Sequence, residues 1–211
     1  MNTRGYRQGA RADAAADKTR RIVDATLELF VERPFEQVTL NAVAERAGVG
    51  LQTVIRRAGS KDGLVRMTSE WVGPQVAADL GEPTSADPAT VAAAFARHYE
   101  RWALLTERTL HQADVSPTMA EFAAGGRRAH RQWISAAFEP VLGGLDPHRR
   151  KLTHARLVAV TGVEVWLVLR RDESLSHDDA RSAVADLISG VLSAPTTVSN
   201  ASTATTAEDL S

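Results

Sequence analysis

Apolar residues recur at helical spacing along almost the whole chain. Ile22, Thr26, Leu29 and Phe30 fall on one helix face, with Val23 and Leu27 beside them. Asp17 is placed to cap this helix after a basic arm over residues 1–16, and "RPFEQV" ends it. Thr39 then stands as an N-cap before "LNAVAERA", where Leu40, Val43 and Ala44 form a short apolar stripe. Gly48 suits the left-handed conformation that closes a helix. "GLQTVIRR" is long enough for about two helical turns. A further helix is expected from Lys61 to Val72, where Gly73-Pro74 interrupts the pattern.

The second half repeats one start signal. Asp87-Pro88, Ser116-Pro117 and Asp146-Pro147 each join a capping side chain to a first-turn proline. The helix after Asp87 carries Val91, Phe95, His98, Trp102 and Leu105 on one face, and a later one carries Trp133, Ile134 and Phe138. "HARLVAVTGVEVWLVLRR", residues 154–171, reads as one helix that is apolar nearly all round. Burial in its own bundle covers one side and a partner subunit could cover the rest; the central helix of a monomeric bundle satisfies the same pattern. Ser176 with Asp179 resembles a capping box opening the last helix. No period-2 segment bounded by hairpin turns interrupts the series.

The expected fold is therefore all-α, with about nine helices. Its expected parts are a flexible basic arm (1–16), a helix-turn-helix domain (17–64), a helical ligand-binding and dimerisation domain (65–193) and a disordered Ser/Thr/Ala tail (194–211).

Charge adds a polarity to this layout. Residues 1–67 hold 12 Lys/Arg against 8 Asp/Glu, whereas residues 68–211 hold 13 against 18, although the whole chain is nearly neutral at −1. A basic front half suits a polyanionic partner, and chance variation in surface charge gives the same excess. The absence of cysteine excludes disulfides and thiolate metal sites and fits a reducing cytoplasm. The N-terminus lacks the apolar core of a secretory signal. The longest apolar run, Leu157 to Leu169, is expected to be too short for a bilayer and contains Glu164. A soluble cytoplasmic protein without a membrane partner is expected.

Enzyme chemistry finds no foothold in the residues. The six histidines show no zinc-binding helical spacing, there is no Gly-x-Ser-x-Gly elbow, and "AGSKDG" is not a phosphate loop. No catalytic residue, metal or cofactor is expected.

What the spacing does supply is a tight turn between two short helices. Val43, Ala44, Val49 and Val54 can pack inward around Gly48. Leu51, Gln52, Thr53, Ile55, Arg56 and Arg57 then lie around the outer face and ends. In a major groove, Gln52 could meet an adenine edge, and Arg56 or Arg57 a guanine or a phosphate. Lys61, at the next helix start, could hold a phosphate. A helical corner with solvated arginines satisfies the same pattern.

Residues 20–64 as a unit, with "ATLELF", the Thr39 cap, "VAERAGV", Thr53-Val54 and "GSKDGL", resemble the N-terminal DNA-binding domain of TetR-family transcriptional regulators. The resemblance implies a homodimer on a roughly palindromic operator in double-stranded DNA. It also implies a C-terminal half that dimerises through its last two helices and holds a small-molecule effector. By the same resemblance, phosphate contacts fall to Thr39, Thr53 and Lys61, and base-side contacts to Leu51, Gln52, Arg56 and Arg57. Three residues depart from the family pattern: Gly50 for a capping serine, Ile55 for a tyrosine and Ala58 for a phenylalanine. His98, Trp102, Phe122, Trp133 and Glu164 are candidates for an effector pocket, each also readable as ordinary core or, for Glu164, as an arginine's internal partner. A helical enzyme and a protein adaptor with an inactive reader are the alternatives.

Overall fold

The computed structural model describes residues 3–194, with side chains from Asp13 onward. Every regular element among them is helical, in the order α1 (Thr3–Glu32), a 3₁₀ turn (Phe35–Gln37), α2 (Leu40–Ala47), α3 (Leu51–Ala58), α4 (Lys61–Leu80), α5 (Pro88–His111), α6 (Pro117–Ala137), α7 (Glu139–Leu142), α8 (Pro147–Val160), α9 (Val163–Leu167), a π-helical turn (Val168–Asp172) and α10 (His177–Ser193). The all-α expectation holds. Apart from Ala194, the expected C-terminal tail lies outside the described residues.

The start signals act as read. Thr39, Asp87, Ser116, Asp146 and Ser176 each accept a hydrogen bond from a backbone N–H in the first turn they precede. Asp17 does not. It lies inside α1, where it pairs with Arg20 at 2.9 Å. The alanine-rich run before it is a strong helix former, and nothing there breaks the turn, so the helix already begins at Thr3.

Two further boundaries differ from expectation. Helix α4 continues through Gly73-Pro74 to Leu80. Pro74 and Glu70, whose carbonyl loses its donor there, are both exposed, so water can satisfy that group. Conversely, the stretch 154–171 is two helices, because the chain turns at Thr161-Gly162. Thr161 Oγ1 donates back to the Leu157 carbonyl at 2.8 Å, and Gly162 takes an extended conformation that starts α9. By length and hydropathy alone, Pro147–Asp172 is long and apolar enough to cross a membrane, contrary to the shorter run read from sequence. Here it bends at Gly162 and buries Leu157, Thr161, Trp166 and Leu167 in the bundle.

Burial is divided among three regions. Ile22, Leu29, Val43, Val54 and Leu64 make the core of the small front unit. Val91, Phe95, Ile134, Phe138, Leu157, Trp166 and Ile188 centre the larger bundle of α5 to α10. Between them lies a joint in which Phe30, Phe35 and Val65 meet Met119, and Val23 and Val72 meet Trp102. Polar latches fasten that joint: Asp79 Oδ2 accepts from Trp102 Nε1 (2.7 Å) and Arg101 (2.9 Å), and the Phe35 N–H donates to Gln112 Oε1 (2.5 Å).

Candidate nucleic-acid interface

The turn between α2 and α3 is built from Gly48 at φ 61°, ψ 40°, the left-handed conformation expected there. Arg21 on α1 braces it, its guanidinium donating to the carbonyls of Ala47 and Gly48. These are orphan acceptors at the C-terminal end of α2, so a cation there satisfies both valence and dipole. Arg46 ties α2 to α1 from the other side, with bonds of 2.8 Å to each Glu32 oxygen and 3.0 Å to Glu28. Neither brace was legible in the sequence, because both join residues distant along the chain.

On α3, Val54 is fully buried while Leu51, Gln52, Ile55 and Arg56 are exposed together along the outer face. This is the geometry a groove-reading helix needs: an apolar back held against α2 and a front on which Gln52 and Arg56, beside Leu51 and Ile55, are free to contact base edges. Gly50 precedes α3 without a side-chain cap, so the departure from serine costs that helix a local hydrogen bond. Ala58 is half-buried against the small core.

The remaining candidates sit differently. Thr53 is half-buried. Thr39 uses its hydroxyl oxygen to accept from Ala42 N at 3.1 Å, which leaves its O–H free to donate outward. Arg57 folds back onto α1, where Nη1 donates to Thr19 Oγ1 at 2.5 Å, so it is not presented beside Arg56. Lys61 Nζ donates to the Glu36 carbonyl at 2.8 Å and lies 4.5 Å from the Phe35 ring centre; burial lowers its pKa. One ammonium hydrogen is thereby committed to the 3₁₀ turn.

These placements separate the two arginines. Arg56→Ala is expected to weaken DNA binding without changing thermal stability, whereas Arg57→Ala should lower the melting temperature by loosening α3 from α1. Thermal unfolding of both variants checks this, and equal shifts would contradict it.

The five effector candidates do not form one site. Trp133 stacks edge-on against Phe95 (5.1 Å) and donates to the Gly81 carbonyl, and His98 packs against Tyr99 (5.2 Å) in the same bundle core. Trp102 and Phe122 face the joint instead. Glu164 is exposed in the protomer, on the outward side of α9, so the apolar surroundings expected for it from sequence are absent within one chain. His130 was not anticipated: Thr161 Oγ1, already donating to Leu157, accepts from His130 Nε2 at 2.9 Å. Among the described residues no cluster of three or more His, Cys, Asp or Glu could hold a metal ion.

Residues 22–67 match the family model described as bacterial regulatory proteins, tetR family. These residues form a TetR-family DNA-binding domain. The matched segment spans the braced turn, all of α3 and the start of α4, so the helix-turn-helix described above is the part of the chain that matches bacterial regulatory proteins of the tetR family. No curated protein matches the chain. Among solved structures, a transcriptional regulator from Rhodococcus sp. Rha1 is 21% identical with a TM-score of 0.67, over 82% of this chain and 95% of that one, which supports the fold. A TetR transcriptional regulator from Rhodococcus sp. RHA1 is 23% identical over 83% of this chain and 96% of that one, with a TM-score of 0.48.

Proposed function

We propose that this TetR-family regulator is a cytoplasmic, non-enzymatic homodimeric repressor that leaves a roughly palindromic operator when a small molecule binds its C-terminal half. The observation that carries the DNA-binding part is the exposed row Leu51, Gln52, Ile55 and Arg56 on a helix stiffened from behind by Val54, Arg21 and Arg57. Holding the reading side chains on a rigid support lowers the entropy lost on docking. Thr39 and Lys61, flanking this face, are assigned to phosphates, which position the reader without specifying sequence.

Dimerisation is assigned to α8 and α10. Their outward faces carry Ala155, Ala159, Leu187 and Gly190, small or apolar residues that permit close helix approach and that one protomer leaves exposed. Release follows if the effector binds better to a state whose two reading helices no longer match successive major grooves. Helix α4 is the lever, because its first turn packs on the reader and Asp79 near its end is latched to α5.

Selection from random duplexes tests this reading. It should return two inverted half-sites separated by one helical turn, about 34–36 Å, or a multiple of it. Gln52→Ala should then cost about 1–3 kcal/mol of discrimination at one position of each half-site. Enrichment of a single unpaired half-site, or of none, would refute the dimeric reader.

A further inference from the structure

We propose that the cavity at the joint between reader and bundle is a binding site for a compact, uncharged and mainly apolar molecule bearing one hydrogen-bond acceptor. The cavity measures about 30 Å³ and is walled by α1, the 3₁₀ turn and α4 on the reader side, and by α5 and α6 on the bundle side. No charged side chain lines it; Phe30, Phe35, Leu105 and Met119 are typical of its wall. A carboxylate or ammonium entering there would lose its hydration without gaining a partner, so charged ligands are excluded.

The polar groups at this site are specific. Three hydroxyl residues line the cavity. Two of them, Thr26 and Ser69, donate to the carbonyls of Ile22 and Val65 in their own helices, each at 2.7 Å. Thr68 does not: it is buried at 9% exposure, and its Oγ1 has no hydrogen-bond partner. Beside the cavity, Gln112 uses its Oε1 to hold the Phe35 N–H, while its buried Nε2 is also without a partner. A buried donor left unmade is costly, and a buried polar group in a native protein ordinarily has a partner. The Thr68 hydroxyl, in the cavity wall, can donate or accept, and Gln112 Nε2, behind the wall residue Phe35, can only donate, so an acceptor such as a carbonyl oxygen suits both.

The volume has a consequence. Room of about 30 Å³ holds no more than one or two water-sized groups. A molecule of several heavy atoms fits only if α4 moves away from α6. Occupancy is thereby coupled to the position of the reader, independently of the aromatic core around His98 and Trp133.

Cyclohexanone is a suitable probe, with cyclohexanecarboxylate as its charged counterpart. Titration of the full chain, followed by two-dimensional amide and indole NMR without DNA, should give saturable shifts at Thr68, Leu105, Met119 and the Trp102 indole N–H. The carboxylate should bind at least about tenfold more weakly. Thr68→Val removes the free hydroxyl while keeping the shape, and should weaken cyclohexanone binding about fivefold. That substitution deletes an unpartnered polar atom, so the variant should melt no lower than the parent. Shifts confined to residues around Trp133, no saturable shift, equal affinity for the two probes, or unchanged affinity in Thr68→Val would each overturn the proposal. Because no DNA is present, these results stand apart from the outcome of operator selection.

Discussion

Gly63→Ala is expected to dismantle the reader. A Cβ at this position would lie 1.6 Å from the Ala58 carbonyl oxygen and 2.8 Å from its carbon, a collision with backbone that no rotamer relieves. The absence of a side chain lets the C-terminal end of α3 sit directly on the first turn of α4, which Ser60 caps by accepting from Gly63 N at 3.0 Å. Forcing the two apart withdraws the neighbouring Leu64, fully buried, from the small core. Overpacking usually costs about 1–3 kcal/mol, and a clash with main chain belongs at or beyond the upper end. Urea unfolding should show that loss, and DNA affinity should fall with it. Gly126→Ala, inside α6, is the control: beyond its chain neighbours and its own helix backbone, nothing lies within 4 Å of a Cβ there. In a helix interior that exchange should stabilise by about 0.5–1 kcal/mol. Equal unfolding midpoints for the two variants would contradict the packing described for Gly63.

The second large effect is acid lability originating in the bundle. His98 is pushed down to about 4 chiefly by burial, with Asp79 opposing and Arg97 adding to the shift. His130 is also lowered to about 4, by burial first and then by the nearby His98, Arg131 and His154. The unfolded chain, with histidine near 6.5, therefore binds more protons than the folded one between about pH 6.5 and 4. Stability is intact above that window and declines as pH falls through it. Each histidine contributes a loss of about 3 kcal/mol if the full shift is realised. Carboxylates held low in the folded state, such as Glu32 by Arg46 and Asp87 by Thr90, add their own loss at the acid end. The diagnostic interval is therefore pH 6.5 to 5. There, His98→Phe should flatten the decline in unfolding free energy relative to the parent; parallel curves would show that His98 is not held neutral.

The elements that could be read from the sequence were those set by local chemistry. The caps at Thr39, Asp87, Ser116, Asp146 and Ser176, and the left-handed turn at Gly48, involve residues within four positions of one another. The outward row on α3 followed from helical periodicity once Val54 was placed inward. Misplaced boundaries arose where two local rules competed. Asp17 offered a cap within a run of alanines that favoured continuing the helix, and Pro74 offered a break on a face where water could complete the backbone. The break at Thr161-Gly162 was hidden by apolar residues on both sides, which continue a periodic pattern across a turn. Long-range partnerships were the least visible: Arg57 with Thr19, Lys61 with the Glu36 carbonyl, and Trp102 with Asp79 are decided by tertiary contact. They change the roles of residues whose types alone suggested contacts to DNA or ligand.

Footprinting on the DNA upstream of the protein's own coding region, at about 50 mM and 200 mM salt, tests the central claim most directly. A protein that grips phosphates with Thr39 and Lys61 and presents Arg56 to the groove in each half of a dimer should protect one roughly palindromic site at low salt. Its affinity should fall steeply at the higher salt as counterions re-condense on the duplex. Protection lost in Arg56→Ala, whose fold should be unchanged, would place the grip on α3. Absence of any protected site at both salt concentrations, or protection insensitive to salt, would contradict the reading of this chain as an operator-binding repressor.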